Sequence, residues 1–172
     1  MARGLGAARK GDIAGARHEL KQLEAIPTRL AQANQPDWAT PTEVARREVA
    51  AWVARAESRN EEAVNLLIAA ADLEDSTEKQ PVTPGPVVPA RELLADLLLE
   101  LGRPDEALKE FEGSLQNAPN RFNSLFGAGR AAELSGDREK AGRFYSQLLQ
   151  ICDRADSDRP ELATAKQFLE KH

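Results

Sequence analysis

Apolar residues recur at helical spacing along most of this chain, and short polar turns separate one apolar run from the next. After Asp12, for example, Ile13, Ala16, Leu20 and Leu23 fall on one face of a predicted helix, because three- and four-residue steps bring side chains to the same side. Strand-like alternation is not evident. The pattern therefore predicts an all-α fold of short helices joined by tight turns.

Between Val88 and Asp153 this pattern occurs twice, with a period of 34 residues. The matching positions are Ala95 with Gly129, Gly102 with Gly136, Ala107 with Ala141 and Phe111 with Tyr145. Small residues allow two helices of a hairpin to approach closely, and the aromatic residues are expected to fill the space between successive hairpins. A period of this length indicates stacked helical hairpins, each burying the open face of its neighbour.

The expected helix ends follow from the same register. Gly102 and Gly136 are predicted to end the first helices in a left-handed conformation, which glycine adopts without a Cβ clash. Pro104 is expected at the start of the next helix, and Asp137 is expected to cap the corresponding helix of the second repeat.

The stretch LLADLLLELGRPDEALKEFEGSLQNAP resembles the tetratricopeptide repeat (TPR) almost throughout. The chain as a whole resembles the C-terminal part of longer bacterial TPR proteins with no assigned activity. The resemblance implies a right-handed TPR helical-hairpin solenoid with a C-terminal capping helix, which is a scaffold and does not specify a reaction. The predicted parts of one solenoid over residues 1–172 are a partial repeat at 1–35, a degenerate repeat at 40–75, a Pro-rich insert at 76–87, TPRs at 88–121 and 122–155, and the capping helix at 158–172.

The N-terminal half is less regular. Only ten residues precede the predicted turn at Gly11, so residues 1–10 are expected to be frayed or docked on a neighbouring molecule, with the array extending upstream. Ser58 takes the place of the turn glycine in the degenerate repeat. The Thr40–Glu43 stretch predicts a capping box, and Trp38 is expected to fill a gap beside the irregular segment.

The Pro-rich insert contains Pro81, Pro84, Pro86 and Pro89 around Gly85. This composition excludes a helix and favours an extended segment. Two interpretations remain: a ligand for an aromatic groove on another protein, or a stiff connector held against its own solenoid. The connector is the favoured interpretation.

Composition narrows the possible partners. Of the 172 residues, 41% are hydrophobic and 5% aromatic, and the net charge is −5. The sequence has no stripe of basic residues, so nucleic acid is not expected as a partner. No apolar run reaches the roughly 18 residues of a membrane helix. The single cysteine excludes an internal disulfide framework. The compartment is unknown, with the cytoplasm as the default expectation.

Residues with catalytic or metal-binding chemistry are few. The two histidines, His18 and His172, lack a ligand partner at suitable spacing. Cys152 is followed by Asp153, whose charge disfavours a reactive thiolate. The acidic stretch around Asp72 lacks the central glycine of a calcium loop. The chain is therefore predicted to be neither an enzyme nor a carrier of a cofactor or metal.

The resemblance further implies that the first helix of each hairpin lines a concave, peptide-binding surface. Trp52 and Phe126 are the predicted apolar anchors, although Trp52 fits the core equally well. An excess of carboxylates favours basic or amphipathic ligands over C-terminal carboxylates. Carried over by position, the candidate surface contains Glu48, Trp52, Arg55, Glu92, Asp96, Leu99, Asn123, Phe126, Arg130 and Glu133.

Three functions are compatible with these features. The first is a non-catalytic scaffold that binds a protein or peptide of unknown identity through the concave face. The second is a structural or oligomerising module of a larger protein, with weak self-association through the N-terminal end. The third, least favoured, is a small-ligand or enzymatic pocket near Trp38, Trp52 and the Pro-rich insert.

Overall fold

The computed structural model describes residues 1–32, 38–77, 86–155 and 159–171, and the regular structure in these ranges is helical. The chain forms two compact units, Met1–Leu93 and Leu94–His172, with the boundary inside α6. The helices are α1 (Ala2–Arg9), α2 (Ile13–Glu24), α3 (Ile26–Gln32), α4 (Ala39–Ala56), α5 (Asn60–Asp75), α6 (Ala90–Glu100), α7 (Pro104–Asn117), α8 (Phe122–Leu134), α9 (Arg138–Ile151) and α10 (Pro160–Lys171).

In the first unit, α4 packs against α5, and both α1 and α2 pack against α4. Gly4 of α1 lies so close to α4 that a Cβ atom would be 2.8 Å from Val49 Cγ1. Residues 2–9 are therefore an ordered helix held within this chain, and the predicted fraying is not observed.

In the second unit, α7 packs on α8, α8 on α9, and α10 on α9 with a smaller contact to α8. The small residues Ala107, Ala128 and Ala141 are fully buried between these helices. A hydrogen bond of 3.0 Å joins the buried hydroxyls of Ser114 on α7 and Ser124 on α8. The succession of hairpins followed by a terminal helix confirms the fold class predicted from the 34-residue period.

Four hairpin turns in the described part of the chain share one backbone geometry. Gly11, Ser58, Gly102 and Gly136 have φ values of 79°, 64°, 70° and 81°. In each turn, the amide of the residue after this one donates to a carbonyl five residues back, as Asp137 N does to Ala132 O at 2.9 Å. This is the hydrogen bond that closes a helix through a left-handed residue. The prediction that Ser58 replaces the turn glycine is confirmed.

The predicted helix starts are confirmed at two sites and wrong at a third. Pro104 is the first residue of α7, and the Asp137 carboxylate accepts from Lys140 N at 3.0 Å. The predicted Thr40–Glu43 capping box does not form, because α4 already begins at Ala39 with Trp38 as an N-cap lacking a side-chain bond. Glu43 instead accepts from Arg46 and Arg47.

Trp38 is 55% exposed, so the expectation that it fills a gap beside the irregular segment is wrong. Its carbonyl accepts a hydrogen bond from Thr42 Oγ1 at 2.7 Å, which fixes the backbone of Trp38 without burying its side chain. The predictions for Pro81 and Pro84, and the predicted first residue of the capping helix, Asp158, lie outside the described residues. Val87, the last residue of the predicted Pro-rich insert, is exposed.

Candidate protein-binding surface

Aromatic rings packed on glycines organise the second unit. A Cβ atom on Gly127 would overlap the ring of Phe111, and one on Gly129 would lie 2.5 Å from Tyr145 Cε1. Both rings are fully buried. The two glycines therefore give α8 the close approach to α7 and α9 that positions its outward-facing side chains.

Phe126 of α8 packs against this aromatic core. Its ring centroid lies 6.2 Å from that of Tyr145, which in turn lies 5.1 Å from Phe168 of α10. These separations fall in the range of favourable tilted aromatic pairs. Phe126 itself is half-buried, so the residue packs on Tyr145 and is also partly accessible to solvent.

A polar network adjoins this aromatic cluster. Tyr145 Oη donates to Glu133 Oε2 at 3.0 Å, and Arg130 Nη1 donates to the same oxygen at 3.2 Å. Burial raises the pKa of the Tyr145 phenol, and the bond to Glu133 raises it further, so the phenol remains a donor. The half-exposed Arg130–Glu133 pair adds little stability but holds these two side chains together on α8.

The candidate residues of the second unit lie on the first helices of its two hairpins, and we call this set the first-helix surface. On α8 they are three or four positions apart, which places them along one face; Asn123 is exposed and the others are half-buried. The members are Asp96 and Leu99 on α6, and Asn123, Phe126, Arg130 and Glu133 on α8.

The candidates of the first unit are mostly inside. Glu48 and Glu92 are each 1% exposed and Trp52 is 3% exposed, while Arg55 is half-buried. The guanidinium of Arg9, on α1, lies 4.2 Å from the Trp52 ring centroid. Trp52 therefore belongs to the core, the second of the two interpretations of this residue, and Glu48 and Glu92 add no accessible charge.

Glu48 has an altered acidity in this position. Burial, and then the negative charge of Glu74, raise its pKa from 4.5 to about 8, and the N-terminal amino group opposes the shift. Glu74 also accepts a hydrogen bond from Ala90 N at 2.9 Å. At neutral pH the Glu48 side chain is therefore predominantly protonated and uncharged.

Among the described residues, no group of three or more His, Cys, Asp or Glu side chains could hold a metal ion. None of the helices in those ranges combines the length and apolar character that a membrane span needs. Cys152 is half-buried, and His172 lies outside the described residues.

This geometry defines a class of protein: the chain has the fold of TPR-like helical repeat proteins. A crystal structure of kinesin light chain repeats from Podosopora anserina, described as nearly identical TPR-like repeats, matches 98% of this chain and 82% of its own at 20% identity, with a TM-score of 0.63. The MamA protein matches 93% of this chain and 96% of its own at 17% identity, with a TM-score of 0.52. At these identities the likeness shows the fold alone.

No protein-family model and no curated protein sequence matches the chain significantly.

Proposed function

We propose that this chain is a non-catalytic scaffold that binds a protein or peptide through the first-helix surface of its second unit. Proteins with TPR-like folds generally mediate protein–protein interactions, which supports the proposal at the level of class. The residues that support it within this chain lie on one helix, α8, and are held in place by the core beneath.

Phe126 is the observation that carries the proposal. An aromatic side chain that is fixed from below loses little freedom on binding, and such residues supply much of the energy of protein interfaces. The contact between the Phe126 and Tyr145 rings supplies this fixation. A partner's apolar side chain would cover the solvent-facing part of the Phe126 ring.

Charge at this surface sets a modest ligand preference. Asp96 and Glu133 are opposed by Arg130, which leaves a net charge of −1 on the first-helix surface. This favours a basic or amphipathic peptide and disfavours a C-terminal carboxylate. The preference is smaller than the sequence suggested, because Glu48 and Glu92 are buried.

Selection of displayed random peptides against the full chain tests the proposal. We expect Phe126→Ala to weaken the selected peptides by about tenfold or more, the loss typical of an interface anchor. Leu134→Ala is the matched control, since Leu134 is an exposed apolar residue at the end of the same helix. Selected peptides that bind both variants as well as the parent chain would refute the role of Phe126.

A further inference from the structure

The second unit contains a groove of about 1050 Å³ along α9, away from the residues of the first-helix surface. Its lining follows α9 from Arg138 to Ile151, a helix of fourteen residues that is about 20 Å long. Phe168 and Leu169 of α10 form the other wall, and Asn120 closes one edge through a bond of 2.9 Å from Gln147 Nε2. We call this feature the α9–α10 groove.

Gly142 lies in the lining of this groove, in the interior of α9. Unlike Gly127 and Gly129, it has no close neighbour: a Cβ atom there would meet only Leu169 Cδ2, at an ordinary 3.9 Å. Glycine weakens a helix interior relative to alanine, and the packing of the residues that the structure describes does not require glycine at position 142. A small residue at this point does allow a second helix backbone to approach α9 closely.

The charged groups of the groove are predominantly basic. Arg138 and Arg143 are exposed, and neither forms an ion pair within the described ranges of the chain. Among the described residues of the lining, Glu139 is the one carboxylate, so these residues carry a net charge of +1. Ile151, 38% exposed, adds apolar surface at the far end.

We propose that the α9–α10 groove binds an acidic amphipathic helix of a partner protein. The length of α9 matches a helical segment of similar length lying alongside it, as helices do in grooves between neighbours. An extended strand would gain no backbone pairing here, since the lining is helical. Acidic side chains of the ligand would pair with Arg138 and Arg143, and its small or apolar residues would lie against Gly142 and Leu169.

The probes are two synthetic helical peptides: an Ala/Leu peptide with glutamates on one face, and its twin with lysines at those positions. Fluorescence anisotropy with the full chain at low salt measures both. We expect the glutamate peptide to bind at least tenfold more tightly than the lysine twin. The double variant Arg138→Glu/Arg143→Glu should reverse this order, and equal binding of the two peptides to the parent chain would overturn the proposal.

Two further variants locate the bound peptide. Gly142→Phe, which fills the groove, should weaken the glutamate peptide at least tenfold, whereas Gly142→Ala should change it much less. Phe126→Ala should leave it unchanged, and a loss there would place the peptide on the first-helix surface and overturn the proposal. Circular dichroism checks folding; if Gly142→Phe unfolds, the charge reversal still decides.

Sedimentation of the parent chain tests whether a second copy of the chain, instead of a partner helix, occupies the groove. A monomer that binds the glutamate peptide supports the proposal. Self-association that is lost in Gly142→Phe and competes with the peptide would assign the groove to a second copy of the chain, and the proposed partner helix would then be wrong.

Discussion

The α4–α5 hairpin and the α8–α9 hairpin follow one register but present different surfaces. Where α8 carries the half-buried Phe126 and Arg130, the corresponding positions of α4 are Glu48 and Trp52, and both are buried. The reason is local: α1 and α2 pack on α4, and Arg9 of α1 covers the Trp52 ring. Repeat register therefore predicts which side a residue faces, and the neighbouring helices decide whether that side remains accessible.

The two hairpins also differ in how their cores are filled. In α8–α9 a tyrosine ring occupies the space that a Cβ of Gly129 would need, whereas the corresponding residues of α4–α5 are the fully buried Ala51 and Leu67. The aromatic arrangement fills a larger volume and leaves no room for an added methyl group. The aliphatic arrangement has a methyl group at that position already.

The largest expected effect tests this difference in packing. Gly127→Ala should lower the free energy of unfolding by about 3 kcal/mol, because the new methyl overlaps the buried Phe111 ring and forces it to move. Gly6→Ala, where no atom lies within 4 Å, is the control and should be neutral or slightly stabilising. Chemical denaturation of both variants measures the difference, and similar stabilities would contradict the glycine–aromatic packing.

The next effect concerns the buried carboxyl of α4. The folded pKa of Glu48, about 8, exceeds its value of 4.5 in the unfolded chain, so the folded state binds the extra proton between these pH values and stability falls as pH rises through them. Glu48→Gln should therefore stabilise the protein by on the order of a few kcal/mol at pH 8 and by almost nothing at pH 4. Denaturation across this pH range checks the slope, and a gain that does not vary with pH would show that Glu48 is ionised when folded.

The smallest effect compares the turns. Ser58 has a left-handed φ of 64°, which strains a residue with a Cβ by about 1 kcal/mol. Ser58→Gly should therefore stabilise the first unit by up to about 1 kcal/mol, and Gly136→Ser should destabilise the second by a similar amount. Thermal denaturation measures both variants. A gain in stability for Ser58→Gly with a loss for Gly136→Ser supports the shared turn geometry, and a loss of stability in both variants would contradict it for Ser58.

Much of the fold could be predicted from the sequence, because turns and close helix contacts depend on residue size at fixed spacing. The 34-residue period identified Gly102, Gly136 and the aromatic fillers. Setting Ala63 against Ala107, 44 residues apart, identified the substituted turn at Ser58. The start of α4 could not be predicted in this way. There Glu43 could either complete the capping box or pair with Arg46 and Arg47 one turn later. The spacing of these residues in the sequence does not show which contact is the stronger.

The accessible surface was harder to predict than the fold. The repeat spacing placed Glu48, Trp52 and Phe126 on equivalent helix faces. Whether they are buried depends on α1, and the sequence of residues 1–10 did not indicate that α1 would pack on α4. The contact between Tyr145 and Phe126 was indicated in part by the repeat, because Tyr145 was expected to fill the space between successive hairpins. The hydroxyl bond from Tyr145 to Glu133 depends on three-dimensional positions alone.

Chemical-shift mapping of the labelled full chain, titrated with a display-selected peptide, tests the first-helix surface most directly. We expect the largest changes on one face of α8, at Asn123, Phe126 and Arg130, with the Phe126→Ala variant losing them at the same peptide concentration. Changes concentrated on α9 around Gly142, or on helices of the first unit, with α8 unaffected, would contradict peptide binding through Phe126.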